Sequence, residues 1–150
     1  MKLITRDTDY AVRALCFIAG HKKEIISVSE LVRKLKMPRA FLRKTLQVLN
    51  KKGLLKSYKG QGGGFALAFA PEIISLVDLV EIFQGPFELD RCIFKKKICP
   101  NTKTCKLKKK LDNIQKYIIS ELKDITLTSL LEGRRTDGEK KDNKNKRRKV

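Results

Sequence analysis

Ser27-Val28-Ser29-Glu30-Leu31-Val32-Arg33-Lys34-Leu35-Lys36-Met37-Pro38-Arg39-Ala40-Phe41-Leu42-Arg43-Lys44 is the stretch on which the fold turns. Ser27 with Glu30 is a capping-box pair, in which each side chain satisfies a free backbone donor of the other residue. Leu31, Val32 and Leu35 then supply the apolar side of a helix. Pro38 biases Met37 away from helical geometry, so this helix stops near Lys36, and the same proline suits the opening of a second helix. The second helix is predicted to run to about Lys52, where Gly53 ends it. Phe41, Leu42, Leu46 and Leu49 form its buried stripe; Arg39, Arg43, Lys44 and Gln47 remain for the other face. Two helices joined by so short a turn are a helix–turn–helix candidate.

Downstream, Leu54-Leu55-Lys56-Ser57-Tyr58 and Phe65-Ala66-Leu67-Ala68-Phe69 read as two short strands around Lys59-Gly60-Gln61-Gly62-Gly63-Gly64. A helix pair followed by a glycine-rich hairpin is the pattern of a winged helix. The glycines permit positive φ and let backbone amides approach a phosphate or a groove wall; an ordinary hairpin turn would carry the same residues. A nucleotide-phosphate loop is disfavoured, because no strand leads into a GxxxxGK[ST] pattern.

Upstream, residues 8–19 have helical periodicity in Tyr10, Ala11, Ala14, Leu15 and Ile18. Thr8 is placed to cap this helix and Gly20 to end it in a left-handed turn. Cys16 lies near the apolar face as a buried small hydrophobe, and His21 reads as a solvated turn residue. After Pro71 comes a short helix over 75–83, broken by Gly85-Pro86. A loop over about 87–105 holds Cys92, Cys99 and Cys105. Then Leu107, Leu111, Ile114, Ile118, Leu122 and Ile125 recur in steps of three and four. That single stripe can pack on its own domain or along a second copy; the second copy is favoured, because the winged helix already has a core.

The formal charge is +19, and residues 133–150 hold nine Lys/Arg against three Asp/Glu, so +13 remains on the rest of the chain. Such a field favours a polyanion, nucleic acid first and an anionic membrane surface second. Residues 133–150 carry too little apolar surface to order themselves and read as a disordered basic tail that adds non-specific DNA attraction or simply stays solvated. No run of about 18 apolar residues exists to span a bilayer, and the start lacks a signal-type apolar region, which points to the cytoplasm. There, clustered cysteines are metal-binding or redox-active more often than bridged. An enzyme is disfavoured: the single histidine is isolated, and no nucleophile–base or paired-carboxylate constellation is present.

Thr8-Asp9-Tyr10-Ala11-Val12-Arg13-Ala14-Leu15, Gly62-Gly63-Gly64-Phe65, and Cys99-Pro100 through Cys105-Lys106-Leu107 together resemble the Rrf-two family of bacterial winged-helix regulators over about residues 1–132. That family includes IscR-type sensors of iron–sulfur status and NsrR-type sensors of nitric oxide. The resemblance implies a homodimer, a long dimerisation helix, and an iron–sulfur cluster on Cys92, Cys99 and Cys105. Lys108 stands where IscR-type proteins place a histidine ligand, and an ammonium has no lone pair to give. NsrR-type proteins instead recruit an aspartate from the other subunit, and Asp9 occupies the matching segment. This favours a four-iron over a two-iron cluster. Lys95, Lys96, Lys97, Lys103 and Lys106 would offset the negative charge of a thiolate-held cluster; zinc and bare redox thiols are the rivals.

The expected architecture is mainly α: a winged helix–turn–helix over 1–70 with a two-stranded wing, then a cysteine loop and long C-terminal dimerisation helix over 71–132 in the same compact domain. The expected function is a DNA-binding transcriptional regulator, a repressor, sensing nitric oxide, redox or iron–sulfur status. Its expected partners are double-stranded DNA with a palindromic operator and a second copy of itself. Arg39, Ala40, Arg43 and Lys44 would meet the major groove, with Arg43 placed for a guanine, and Lys59, Gln61, Gly62 and Gly63 the minor groove or backbone. The alternative is a cluster-free winged-helix DNA-binding protein with thiol-switch or inert cysteines.

Overall fold

A computed structural model describes residues 2–21, 24–89 and 104–132. Helix α1 spans Arg6–Gly20, two residues earlier than the apolar periodicity alone suggests. Its N-cap is Thr5, which makes no side-chain cap; Thr8 lies within the first turn and is fully buried, so it is not the cap expected of it. Gly20 is the last helical residue and not a left-handed stop, since the chain leaves through His21 in extended geometry. Its smallness serves packing instead: a Cβ there would stand 3.2 Å from Leu131 Cδ2. His21 is also more than a solvated turn residue. Its ring centroid is 5.3 Å from that of Phe17, and its Nε2 lies 3.3 Å from Glu30 Oε1.

Helix α2 covers Val28–Leu35 and α3 covers Arg39–Lys51. Ser27 Oγ accepts the Glu30 N–H at 3.1 Å, the first half of the expected box, while the Glu30 carboxylate reaches His21. Lys36 makes the turn between the helices in left-handed geometry (φ 52°), and Met37 is buried beneath it. Pro38 is the residue before α3, so that helix opens one position later than a proline-led start. At its other end the Gly53 N–H bonds Asn50 O and the Leu54 N–H bonds Leu49 O, each at 2.9 Å, which is a Schellman closure.

Strands β1 (Leu55–Tyr58) and β2 (Gly64–Leu67) pair antiparallel with Leu55 opposite Leu67 and Tyr58 opposite Gly64. Ile26, fully buried, exchanges two 2.9 Å hydrogen bonds with Phe65, so the wing is stitched to the entry of α2. The main core lies where α1, α2, α3 and the wing base meet, around Leu15, Ile26, Leu31, Leu42, Leu46, Leu49, Leu55 and Leu79. Cys16 is 1% exposed within it, as a small hydrophobe should be.

A 3-10 turn at Pro71–Ile73 leads to α4 (Leu76–Gln84). Here the reciprocal capping box is complete: Ser75 and Asp78 satisfy one another's N–H groups at 3.1 and 3.4 Å. Helix α5 (Lys106–Asp124) splits the apolar stripe in two. Its C-terminal part packs on its own chain, with Leu122, Ile118, Ile119 and Ile125 against Val12, Leu76 and Val77. The chain then crosses back, bonding Leu76 N–H to Ile125 O at 2.8 Å and Leu127 N–H to Ile74 O at 3.1 Å, and residues 127–132 finish helical with Leu127 in the main core. Among the described residues the N-terminal part is left uncovered: Leu107, Ile114 and Tyr117 are 68%, 50% and 66% exposed. The whole stripe was expected to serve one surface; only this half is left for a second copy. Among the described residues no helix is long and apolar enough to cross a membrane.

Candidate nucleic-acid interface and cysteine site

The amphipathic division of α3 is as its sequence requires. Leu42, Thr45, Leu46 and Leu49 are buried, and Arg39, Ala40, Arg43, Lys44 and Gln47 are all exposed. The one polar member of the inner face is satisfied, because Thr45 Oγ1 donates to Phe41 O at 3.1 Å. The first turn of α3 contains no acidic residue. Negative charge is stabilised at that end and positive charge is not, so Arg39 stands against the helix dipole. An approaching phosphate reverses that balance, since it meets positive side chains and the helix N-terminus at once.

On the wing, Lys59, Gln61 and Gly62 are exposed and Gly63 is half-buried. Gly62 has φ 76° and open space around it, so its backbone is accessible to a ligand. Gly63 has a different duty: a Cβ there would collide with the carbonyl of Tyr58, so its lack of a side chain serves the hairpin itself. Sequence reasoning passed over Lys56, Ser57 and Tyr58, all exposed along β1 beside Lys59. Their signal was the abrupt end of apolar residues after Leu55.

The start of α1 is joined to α3 by a ring contact. Tyr10 and Phe41 meet edge-to-face with centroids 5.0 Å apart, and Arg6 donates to Tyr10 Oη from Nη2 at 3.0 Å while lying over both rings. Asp9, one residue before Tyr10, pairs with Arg13 Nε at 2.9 Å on a surface where both side chains are about half exposed. Such a pair is worth about 0–1 kcal/mol, so the carboxylate can change partner at small cost.

Of the three loop cysteines, Cys105 is described and Cys92 and Cys99 lie outside the described residues, as do Lys95, Lys96, Lys97, Lys103 and the tail 133–150. Cys105 is the half-buried N-cap of α5, its Sγ accepting the Lys108 N–H at 3.4 Å. Lys108 Nζ is bound to Asp112 at 2.8 Å. The root of the loop is held on two sides. Gln84 Oε1 accepts from Thr5 N–H and Thr8 Oγ1, both at 2.8 Å, and Leu89 N–H donates to Gln115 Oε1 on α5 at 2.9 Å. Among the described residues no three histidine, cysteine or carboxylate side chains gather into a metal site.

The chain as a whole is similar to known proteins. A family model described as Rrf2, iron-dependent transcriptional regulator, matches residues 4–133. An Aquifex aeolicus protein described as an HTH-type transcriptional regulator is 30% identical over 124 residues, covering 81% of this chain and 86% of its own length. The transcriptional regulator NsrR of Bacillus licheniformis is 28% identical over 133 residues, 87% of this chain and 92% of the relative. CymR, the global cysteine regulator of B. subtilis, superposes with a TM-score of 0.73 at 21% identity over 88% of this chain and 98% of that one, which is a likeness of fold. With so much of its length matched, the chain belongs to the Rrf2 family and is a transcriptional regulator, not an enzyme.

Proposed function

We propose that the protein is a homodimeric repressor of a palindromic operator that senses nitric oxide, redox or iron–sulfur status through a four-iron cluster. The observation that carries the DNA half is the exposed face of Arg39, Ala40, Arg43 and Lys44 at the start of α3, with the backbone of Gly62 and the side chains of Lys59 and Gln61 on an adjoining wing. Arg43 reads a base edge, and Arg39, Lys44, Lys59 and the wing backbone at Gln61 and Gly62 hold phosphates. The uncovered half of α5 meets its symmetry mate through Leu107, Ile114 and Tyr117.

The donor set fits a cluster. Cys105 stands at a helix N-terminus with a backbone N–H directed at its sulfur, the kind of contact that supports charge on a cluster-bound thiolate. Lys108 bonds Asp112, and its ammonium has no lone pair to give, so a ligand from that position is disfavoured. Cys92, Cys99 and Cys105 with Asp9 of the partner subunit would hold the group. When bound, it would supply a centre that nitric oxide or oxygen destroys. Asp9 exchanges its exposed Arg13 partner for this role, and its release returns the pair with Arg13. Arg6, Tyr10 and Phe41 join the Asp9 turn to α3, so a change at Asp9 reaches the DNA-reading helix. The family model's description as iron-dependent supports the same reading.

Anaerobic purification with iron and sulfide analysis tests it, together with operator binding before and after nitric oxide. A visible chromophore lost on Cys92→Ser, Cys99→Ser or Cys105→Ser, and operator affinity that changes with its loss, are the expected results. Colourless, iron-poor protein whose operator affinity responds to thiol oxidants would replace the cluster with a thiol switch. If affinity ignores both, the cysteines are inert.

A further inference from the structure

Thr5 occupies the N-cap of α1 but its own side chain caps nothing. In a capping box the N-cap N–H is taken by a Glu or Gln three residues on. Position N3 here is Thr8, whose side chain is too short for that reach. The acceptor comes from a helix distant in sequence instead: Gln84, the last residue of α4, takes the Thr5 N–H and the hydroxyl of fully buried Thr8 with one oxygen, both at 2.8 Å. Its amide Nε2 donates to Leu3 O at 3.4 Å, and Thr5 Oγ1 lies 3.3 Å from Thr8 Oγ1. Gln84 is therefore a cap supplied across the fold. It grips the turn that carries Asp9 at the point where α4 stops and Gly85 (φ 80°) turns the chain away.

We propose that Gln84 is a positioning residue of the regulatory response. It locks the first turn of α1 to the end of α4, so that this turn, the Tyr10–Phe41 contact and the outer face of α3 shift as one unit. The inference rests on the sensing role proposed above. The first turn of a helix is its least protected part, because its N–H groups have no partners within the helix. Removing the acceptor frees that turn, and a displacement at Asp9 is then absorbed locally before it reaches α3. Coupling between two sites needs a demonstrated energetic link and not mere adjacency.

The experiment uses the full chain and compares Gln84→Leu, which removes acceptor and donor at similar size, with Gln84→Glu, which keeps the acceptor. The first readout is amide hydrogen exchange over residues 5–10 and 39–44. The second is the ratio of operator affinities between loaded protein and its triple Cys92/Cys99/Cys105→Ser form. Gln84→Leu is expected to speed exchange in the first turn of α1 and to pull the ratio toward one by about tenfold, the usual scale of allosteric coupling. Gln84→Glu is expected to retain most of both. Unchanged exchange at 5–10, or an unchanged ratio in Gln84→Leu protein, overturns the proposal. Should Gln84→Leu fail to fold, Thr8→Val removes one of the two donors and is read in the same way. Wild-type protein that takes up no iron overturns the cluster reading alone; the exchange pattern then decides whether the clamp exists.

Discussion

Helices α3 and α5 are both amphipathic and both basic, yet they are completed differently. Helix α3 buries Leu42, Leu46 and Leu49 entirely and presents a polar face to solvent, so one chain accounts for both its sides. Helix α5 is longer but buries only Leu122; Leu107, Ile114 and Tyr117 stand in water along its N-terminal half. The difference teaches where each half of the molecule finds its stability. The winged helix is held by its own core, whereas the N-terminal half of α5 leaves large apolar side chains exposed among the described residues.

The sharpest break in that contrast is a core deletion. Leu46→Ala should lower unfolding free energy by about 2–5 kcal/mol in chemical denaturation, because the cavity cannot be filled from solvent. A loss below about 1 kcal/mol would mean that α3 is not the anchored helix described here. Next comes Ile114→Glu. If the proposed α5 interface holds, it should move the protein from dimer to monomer in sedimentation at micromolar concentration while barely changing the fold, since an unpaired charge buried in an interface costs several kcal/mol. A dimer that persists would place the symmetry contact elsewhere. Arg43→Ala should weaken operator binding by about 1–3 kcal/mol and relax preference at one base pair, while Lys44→Ala should weaken binding evenly across sequences and flatten its salt dependence. Equal effects from both would remove the base-reading role of Arg43. The smallest change is Ser75→Ala, which should cost about 1 kcal/mol by breaking the box that starts α4. Thermal unfolding within error of wild type would show that Asp78 alone is enough.

Much of the winged helix was legible along the chain. Ser27, Pro38 and Gly53 punctuate α2 and α3 to within a residue, because caps and breakers act over one turn and need no distant partner. The exposure of Arg39, Arg43 and Lys44 follows from the apolar period by elimination. The complete capping box at Ser75 and Asp78 was equally local, and its pattern passed unnoticed. Thr8 and Gly20 misled the reading for one shared reason. Each has the residue type of a helix end, but Thr8 answers to Gln84 and Gly20 to Leu131, partners far away in sequence. His21 was misplaced likewise, since Phe17 is local but Glu30 belongs to the next helix.

What the order of residues determined by itself is the helix–turn–helix, the wing and the basic face, for these rest on periodicity, caps and turn chemistry within a few residues of each site. Only the tertiary structure decided that α5 is half buried and half open, that Ile26 stitches the wing to α2, and that Gln84 holds the first turn of α1. Those are pairings between residues tens of positions apart. A single amphipathic stripe or one glutamine carries no mark of which distant surface will satisfy it; that choice belongs to the packed chain.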